Sequence, residues 1–172
     1  MSSDAMTLDQ IVEQRRLGGD LAAQVDEKVT RMVLFTVGER LFAVAGASIR
    51  EILPLGGIAF VPGCPPSMLG VINVRGDIES VISLAAVLGL GQGKASRHSS
   101  IMLAMAGGMR SGLAVDAIID VAEVPESAVQ PPPATTPAAL ENIVTGTVMH
   151  RGAAATLIEL DRLFQEFTRG LG

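Results

Sequence analysis

The 172-residue chain has no tryptophan, no tyrosine and a single cysteine, Cys64. Five phenylalanines are the only Phe, Tyr or Trp residues in the chain. A protein that binds single-stranded nucleic acid by stacking bases on aromatic side chains is therefore not expected. One thiol cannot close an internal disulfide, and this favours a reducing, cytosolic setting. Two histidines and one cysteine also provide no metal-ligand set, so neither a metal nor another cofactor is expected.

The chain also lacks an excess of positive charge. Thirteen Lys and Arg residues stand against 18 Asp and Glu residues, giving a net charge of −5 and a pI of about 5.0. A nucleic acid or an anionic membrane is therefore not an expected partner. Hydrophobic residues make up 48% of the chain and charged residues 18%, which predicts one folded domain or two very small ones.

No uninterrupted apolar run is suited to crossing a membrane. The longest charge-free stretch, residues 52–74, contains four prolines, which break helices. The N-terminus has no basic segment followed by an apolar one, so no signal peptide is expected and the predicted location is cytoplasmic.

Residues 1–29 form a predicted helical extension. Thr7-Leu8-Asp9-Gln10 has the pattern of a capping box, and Leu8, Ile11 and Val12 then share one face. Gly18-Gly19 interrupts the pattern before a second amphipathic turn. A helix packed on the body of the domain and a helix that binds a partner or dimerises both remain open.

From residue 30 the pattern changes to short strands separated by tight turns. About ten strands with little internal helix predict an all-β fold of two small barrels, at about 30–90 and 98–160. An exchange of terminal strands between the barrels is left open. We also expect a helical turn at 85–88, and a C-terminal helix capped by Asp161 with Leu163, Phe164 and Phe167 on one side.

Residues capable of catalysis do not form a recognisable set. Gly91-Gln92-Gly93-Lys94 lacks the first glycine and the Ser or Thr of a phosphate-binding loop, since those positions are Leu88 and Ala95. Cys64 has no protease-like sequence around it. The two histidines, His98 and His150, are both expected on the surface.

A carboxylate pair is also not expected. Asp116 and Asp120, four residues apart on a strand, would lie roughly 13 Å from each other, too far for a glycosidase pair. These residues together predict a binding module rather than an enzyme.

Several sequence blocks occur in the order and at the spacing of a known family. They are Phe35-x-Val37-Gly38, Phe42-Ala43-Val44, Ile49-Arg50-Glu51-Ile52-Leu53, Val61-Pro62, Gly70-Val71-Ile72-Asn73-Val74-Arg75-Gly76, Gly112-Leu113-Ala114-Val115-Asp116, Val144-Thr145-Gly146 and Leu157-Ile158-Glu159-Leu160. On these blocks, residues 30–168 resemble the CheW family, the adaptors of bacterial chemosensory arrays.

The resemblance implies both a fold and a role. It implies two packed five-stranded SH3-like barrels with short helices at each end. It also implies a non-enzymatic adaptor that binds the regulatory domain of a CheA-type histidine kinase and the cytoplasmic tip of a chemoreceptor, and so regulates kinase autophosphorylation. Such an adaptor is cytoplasmic and is recruited to receptor arrays at the membrane.

The family also implies site residues. The kinase-binding residues would be Gly70, Val71, Ile72 and Glu51, and the receptor-binding residues would be Ile49, Arg75, Gly76, Gly112 and Gly146. Because the corresponding family charges lie close together, we predict an ion pair between Glu51 and Arg75.

Two features depart from the family pattern. Ser80 and Ser83 stand where the family usually has Pro and Asp, and the N-terminal extension is longer. These departures leave open a specialised paralogue that serves surface motility or a second-messenger pathway and binds receptors without kinase. Self-association into rings through the N-terminal helix is a further alternative.

Overall fold

A computed structural model describes residues 27–91 and 95–171, so the predicted helical extension before residue 27 lies outside the described residues. Ten strands and two α-helices lie within them. The strands are β1 (Val29–Val37), β2 (Arg40–Ala45), β3 (Ile49–Pro54), β4 (Met68–Val74), β5 (Asp77–Ser83), β6 (Ser100–Ala106), β7 (Met109–Val115), β8 (Ala117–Pro125), β9 (Val144–His150) and β10 (Ala153–Ile158), and the helices are α1 (Leu84–Val87) and α2 (Leu160–Leu171).

The strands form two five-stranded sheets, which confirms the predicted all-β class. Sheet 1 has the order β8-β1-β2-β10-β9, and sheet 2 has the order β3-β6-β7-β5-β4. The sheets do not follow the predicted division into 30–90 and 98–160. The β1–β2 hairpin lies in the sheet of β8, β9 and β10, while β6 and β7 lie in the sheet of β3, β4 and β5.

Four hairpins turn through two residues that both have positive φ. These turns are Gly38-Glu39, Arg75-Gly76, Gly107-Gly108 and Arg151-Gly152, with φ between 50° and 89°. Turns of this kind match the right-handed twist of the strands that they join, and glycine adopts them without strain. The turns therefore fix the register of all four hairpins.

Each sheet is closed by the segment that joins its two outer strands. In sheet 2 we call residues 55–66 the Ala59 segment, because Ala59 pairs with Val71 of β4. In sheet 1 we call residues 126–137 the Gln130 segment, because Gln130 pairs with Thr147 of β9. Both bridges are reciprocal, with N–H···O distances of 2.8 and 2.9 Å, and they bend each sheet towards a barrel.

The largest apolar core lies where the two sheets face each other, and it includes side chains of both sheets and both helices. The predicted apolar side of the C-terminal helix is confirmed, since Leu163 and Phe164 are buried there and Phe167 packs beside them. The helix begins at Leu160, one residue before the predicted cap. Each sheet also encloses a smaller core of its own.

The two sheets are copies of one unit in different chain order. In sheet 2 the unit runs as a strand, a closing segment, a hairpin, a helix and a second hairpin, from β3 to β7. In sheet 1 the same unit runs from β8 to α2, and its second hairpin is β1–β2 from the other end of the described chain. The parallel pairs β5–β7 and β10–β2 occupy the same place in each unit.

Candidate functional site

The Arg75 side chain lies at the end of the β4–β5 hairpin and forms an ion pair with Glu51 of β3. The Arg75 Nη2 to Glu51 Oε1 distance is 2.6 Å, which confirms the predicted pair. The Arg75 side chain is 75% exposed and that of Glu51 is 24% exposed. The Gly76 N–H donates to Asn73 Oδ1 at 2.8 Å, which braces the backbone of the turn next to the ion pair.

A β-bulge places Glu51 at this position. The register of β3 against β6 shifts between Ile49 and Glu51, which leaves Arg50 as the extra residue. Such a bulge redirects the side chains that follow it. Ile49, on the other side of the bulge, packs against the core between the sheets. The bulge therefore separates a charged group at the barrel end from an apolar group beside the other sheet.

Gly70 and Ile72, both assigned to kinase binding from the sequence, are buried. Gly70 has a φ of 147°, and a Cβ added there would lie 2.2 Å from the carbonyl oxygen of Ala59. Ile72 packs inside sheet 2 with Val81. Neither residue presents a surface to a partner. Gly70 acts instead by making room for the Ala59 segment, which pairs with half-buried Val71.

The exposed apolar residues of this region were missed by the sequence reasoning. Phe60 follows Ala59 directly, and its side chain is 73% exposed. Ile78, the second residue of β5 after the Arg75 turn, is 64% exposed. An aromatic residue within a Pro- and Gly-rich loop was the available sign for Phe60. The strand pattern gave no sign for Ile78.

Gly112 and Gly146, assigned to receptor binding from the sequence, are also buried. A Cβ at Gly112 would lie 2.7 Å from Ile101 Cγ2, and one at Gly146 would lie 2.6 Å from the carbonyl oxygen of Gln130. Both glycines serve close packing inside their sheets. Neither of them lines an open groove.

A strip of apolar residues, of which only Val121 is exposed, lies instead on the face of sheet 1 that meets sheet 2. Val121 of β8 is the cross-strand partner of Val33, which is buried in the core between the sheets. Directly paired residues project from the same face of a sheet. Val121 nevertheless stays 49% exposed, and Ile118 and Ile49 pack against that core from β8 and β3.

The end of sheet 1 has an ion cluster that corresponds to the Arg75–Glu51 pair. Arg151 has the turn position of Arg75, and its Nη2 lies 3.7 Å from Asp120 Oδ2. His150 Nε2 lies 3.3 Å from the same oxygen without making a hydrogen bond. The His150 side chain is only 16% exposed, so its predicted surface position is wrong. The register across the β1–β8 bulge makes Asp120 the equivalent of Glu51.

The two serines that depart from the family pattern have clear structural roles. The Ser83 hydroxyl accepts the Ala86 N–H at 3.3 Å and caps α1, so the N-cap is retained without the family's Asp. The Ser80 hydroxyl lies 2.9 Å from the Ser111 hydroxyl, which joins β5 to β7. Both substitutions therefore leave the sheet intact.

Other polar residues that the sequence singled out have structural partners. Asp116 Oδ2 accepts the Gly38 N–H at 2.8 Å, and the Cys64 thiol donates to the Met68 carbonyl at 3.4 Å. Buried Glu79 pairs with Arg110 inside sheet 2. Across residues 27–91 and 95–171, no group of three or more His, Cys, Asp or Glu residues is placed to hold a metal ion. Within the same ranges, no helix is long and apolar enough to cross a membrane.

Comparison with known proteins identifies a family. The model of the CheW-like domain matches residues 31–168. The probable chemotaxis protein CheW of Rhizobium etli is 33% identical over 135 residues, 78% of this chain and 87% of that protein. Protein FrzA of Myxococcus xanthus is 26% identical over 133 residues, 76% of this chain and 82% of that protein.

A solved structure agrees with these sequence matches. The scaffolding protein TtCheW from Thermoanaerobacter tengcongensis superposes with a TM-score of 0.71 at 28% identity, covering 80% of this chain and 94% of that one. The matched length, the two-sheet fold and the confirmed ion pair lead to one conclusion. The chain belongs to the CheW-like domain family.

Proposed function

We propose that this chain is a non-enzymatic adaptor that couples the cytoplasmic tips of chemoreceptors to a CheA-type histidine kinase. In this role it binds the regulatory domain of the kinase and regulates autophosphorylation, in the cytoplasm, at receptor arrays. The observation that carries the proposal is the Arg75–Glu51 ion pair at the end of sheet 2, where Phe60 and Ile78 are exposed apolar side chains. Interfaces combine such apolar centres with a few directed charges.

The kinase surface in this proposal is the Ala59 segment and the adjoining end of sheet 2. Phe60 supplies the large exposed apolar side chain. Val71 contributes from the bridge to Ala59, and Glu51 contributes from the ion pair with Arg75. Aromatic residues in such positions commonly contribute most of the binding energy. Gly70 and Ile72 support this surface from inside.

The receptor surface in this proposal is the strip where the two sheets meet. Ile49 and Ile118 pack on the core between the sheets, and exposed Val121 projects from the same face as buried Val33. An amphipathic receptor helix docks on such a groove through its apolar face. Arg75 and Gly76, both exposed, add the polar contact at the barrel end.

A second candidate is a paralogue outside flagellar steering, working in surface motility or a second-messenger pathway. The 26% identity to protein FrzA supports keeping this candidate. Ser80 and Ser83 do not support it, since both keep the local structure. The two candidates differ in the output of the pathway and in whether a kinase binds.

Titration calorimetry with the kinase regulatory domain and with a receptor-tip fragment from the same cell tests the proposal. We expect micromolar binding of both. Phe60→Asp should weaken kinase binding by at least about tenfold and leave receptor binding unchanged, because Phe60 is a central aromatic contact. Arg75→Ala should weaken receptor binding and leave kinase binding in place.

Met149→Asp is the matched control, because it places the same charge at an exposed apolar position of sheet 1. It should leave the binding of both partners unchanged. Equal losses for Phe60→Asp and Met149→Asp would contradict the assigned surface. Receptor binding without any kinase binding by the unchanged protein would favour the paralogue.

A further inference from the structure

Sheet 1 leaves a second strip exposed beside β1 and β8, apolar at its two ends and charged between them. Val29, Ile119 and Val121 are each between 42% and 49% exposed. Val29 faces Pro125 across the strand pair and Val121 faces Val33, so Val29 and Val121 project from one face. Arg31 and Glu123, paired at 3.6 Å, lie between them on that face.

The described chain begins at the edge of this strip. The Lys28 carbonyl accepts the Glu126 N–H at 3.0 Å, and the Glu27 carboxylate accepts the Ser127 N–H. These two bonds hold residues 27 and 28 against the end of β8. The 26 preceding residues therefore join the fold next to Val29, and not at a distant edge.

The sequence of residues 1–26 suits an apolar strip. Leu8, Ile11 and Val12 recur at helical spacing after a capping box, and Leu21 and Val25 repeat the pattern closer to the fold. The match to the CheW-like domain begins only at residue 31, so residues 1–26 lie outside it.

The length of the segment is sufficient. Val29 and Val33 lie four residues apart on β1, so the strip from Val29 to Val121 is roughly 13 Å long. A helix of twelve residues is about 18 Å long and spans that distance. Tethering also gives the segment an effective concentration near the millimolar range, which a separate partner must exceed.

We propose that residues 1–26 dock through their apolar side chains on the strip of Val29, Ile119 and Val121. The segment thereby covers part of the face to which a receptor helix is assigned, and the two compete. The docking itself is independent of the proposed function, whereas the competition rests on it.

Paramagnetic broadening in the full-length protein tests the docking with no partner present. A nitroxide is attached at residue 13, on the polar side of the segment, in a Glu13→Cys, Cys64→Ser variant. We expect strong broadening of the methyl signals of Val29, Ile119 and Val121. The methyl signals of Ile78, exposed on sheet 2, should stay sharp.

Ile11→Asp in the labelled protein is the disruptive variant, and it should restore the three broadened signals. Broadening that is absent, or equal at Ile78, would overturn the proposal. Mixing nitroxide-carrying protein without isotope enrichment with isotope-enriched protein without nitroxide distinguishes broadening between molecules from broadening within one molecule. Broadening that appears between molecules in that mixture would show a second copy on the strip and would also overturn it.

The competition has its own measurement. Ile11→Asp should tighten binding of the receptor-tip fragment several-fold and leave kinase binding unchanged. If the methyl experiment shows docking but Ile11→Asp leaves receptor affinity unchanged, the competition is wrong and the docking stands. If the receptor fragment binds neither protein, the proposed function fails and the docking result is unaffected.

Discussion

Gly70 and Gly76, six residues apart in one hairpin, are glycine for different structural reasons. Both have positive φ, at 147° and 89°. A Cβ at Gly70 would collide with the Ala59 backbone, whereas one at Gly76 would meet nothing within 4 Å. Position 70 thus needs glycine both for its positive φ and because a Cβ would have no room. Position 76 needs glycine only for its positive φ.

Alanine substitution separates these two requirements. Gly70→Ala should lower the free energy of unfolding by about 3 kcal/mol or more, because overpacking adds to backbone strain. Gly76→Ala should lower it by about 1 kcal/mol, from strain alone. Urea unfolding of the two variants measures both values. An equal loss of stability in the two variants would show that the close approach of Ala59 is not the reason for glycine at position 70.

Glu79 has the most buried side chain of the ion pairs among the described residues, and its partner Arg110 is half exposed. The Glu79 side chain is only 7% exposed. Arg110→Met should lower the free energy of unfolding by about 1 to 3 kcal/mol, because it leaves a mostly buried carboxylate without its half-exposed cation.

The double variant Glu79→Leu/Arg110→Met is the control for this loss, since it removes the stranded charge and should recover most of the stability. Urea unfolding compares the two variants. A double variant as unstable as Arg110→Met alone would mean that packing by the arginine stem, and not charge, is what the pair supplies.

At the scale of elements, the two closing segments depend on equivalent glycines. Gly70 pairs with Val81 and Gly146 with Leu157, at the same place in each unit. The next residue in each strand forms the closing bridge, Val71 with Ala59 and Thr147 with Gln130. The internal repeat therefore extends to the contact that closes each barrel.

This equivalence predicts that substitution of either glycine opens only the closing bridge of its own sheet. Gly146→Ala should open the Gln130–Thr147 bridge, because its Cβ would lie 2.6 Å from the Gln130 carbonyl, and should cost about 1 to 3 kcal/mol. Amide hydrogen exchange should accelerate at Gln130 and Thr147 and stay unchanged at Ala59 and Val71. Gly70→Ala should produce the opposite pattern. Acceleration at both bridges in either variant would contradict independent closure.

Much of the element level could be predicted from the sequence. Alternating apolar residues and paired turn residues indicate the strands and hairpins, since both depend on neighbours in the chain. The assignment of strands to sheets could not be predicted in this way. The β1–β2 hairpin joins β10 through the parallel pairing of Phe42 with Thr156, more than 100 residues away.

The site was predictable only in part, for a related reason. The Glu51–Arg75 pair follows from family spacing, and the structure confirms it. Spacing does not show which residues of a strand face inward, so Gly70, Ile72, Gly112 and Gly146 were assigned to surfaces although all four are buried. The exposed residue Phe60 lies in an irregular segment and Ile78 lies at the start of β5 beside a turn, where the alternating pattern carries little information.

At the scale of the whole molecule, one shared core joins the two sheets. Side chains of both sheets and both helices meet in that core, so the surfaces proposed for kinase and receptor belong to one rigid framework. Glu51 of the ion pair lies within β3, between Ile49 and the Ala59 segment along the chain. The surfaces proposed for the kinase and for the receptor therefore both include a residue of β3.

The most direct test of the adaptor role is kinase autophosphorylation in a reconstituted mixture. Incorporation of labelled phosphate from ATP into the CheA-type kinase is measured with receptor assemblies, with and without this chain. We expect receptor control of the kinase only when the chain is present, and a fall towards the level without the chain when Arg75→Ala replaces it. Receptor control that is unchanged when the chain is omitted would contradict the account.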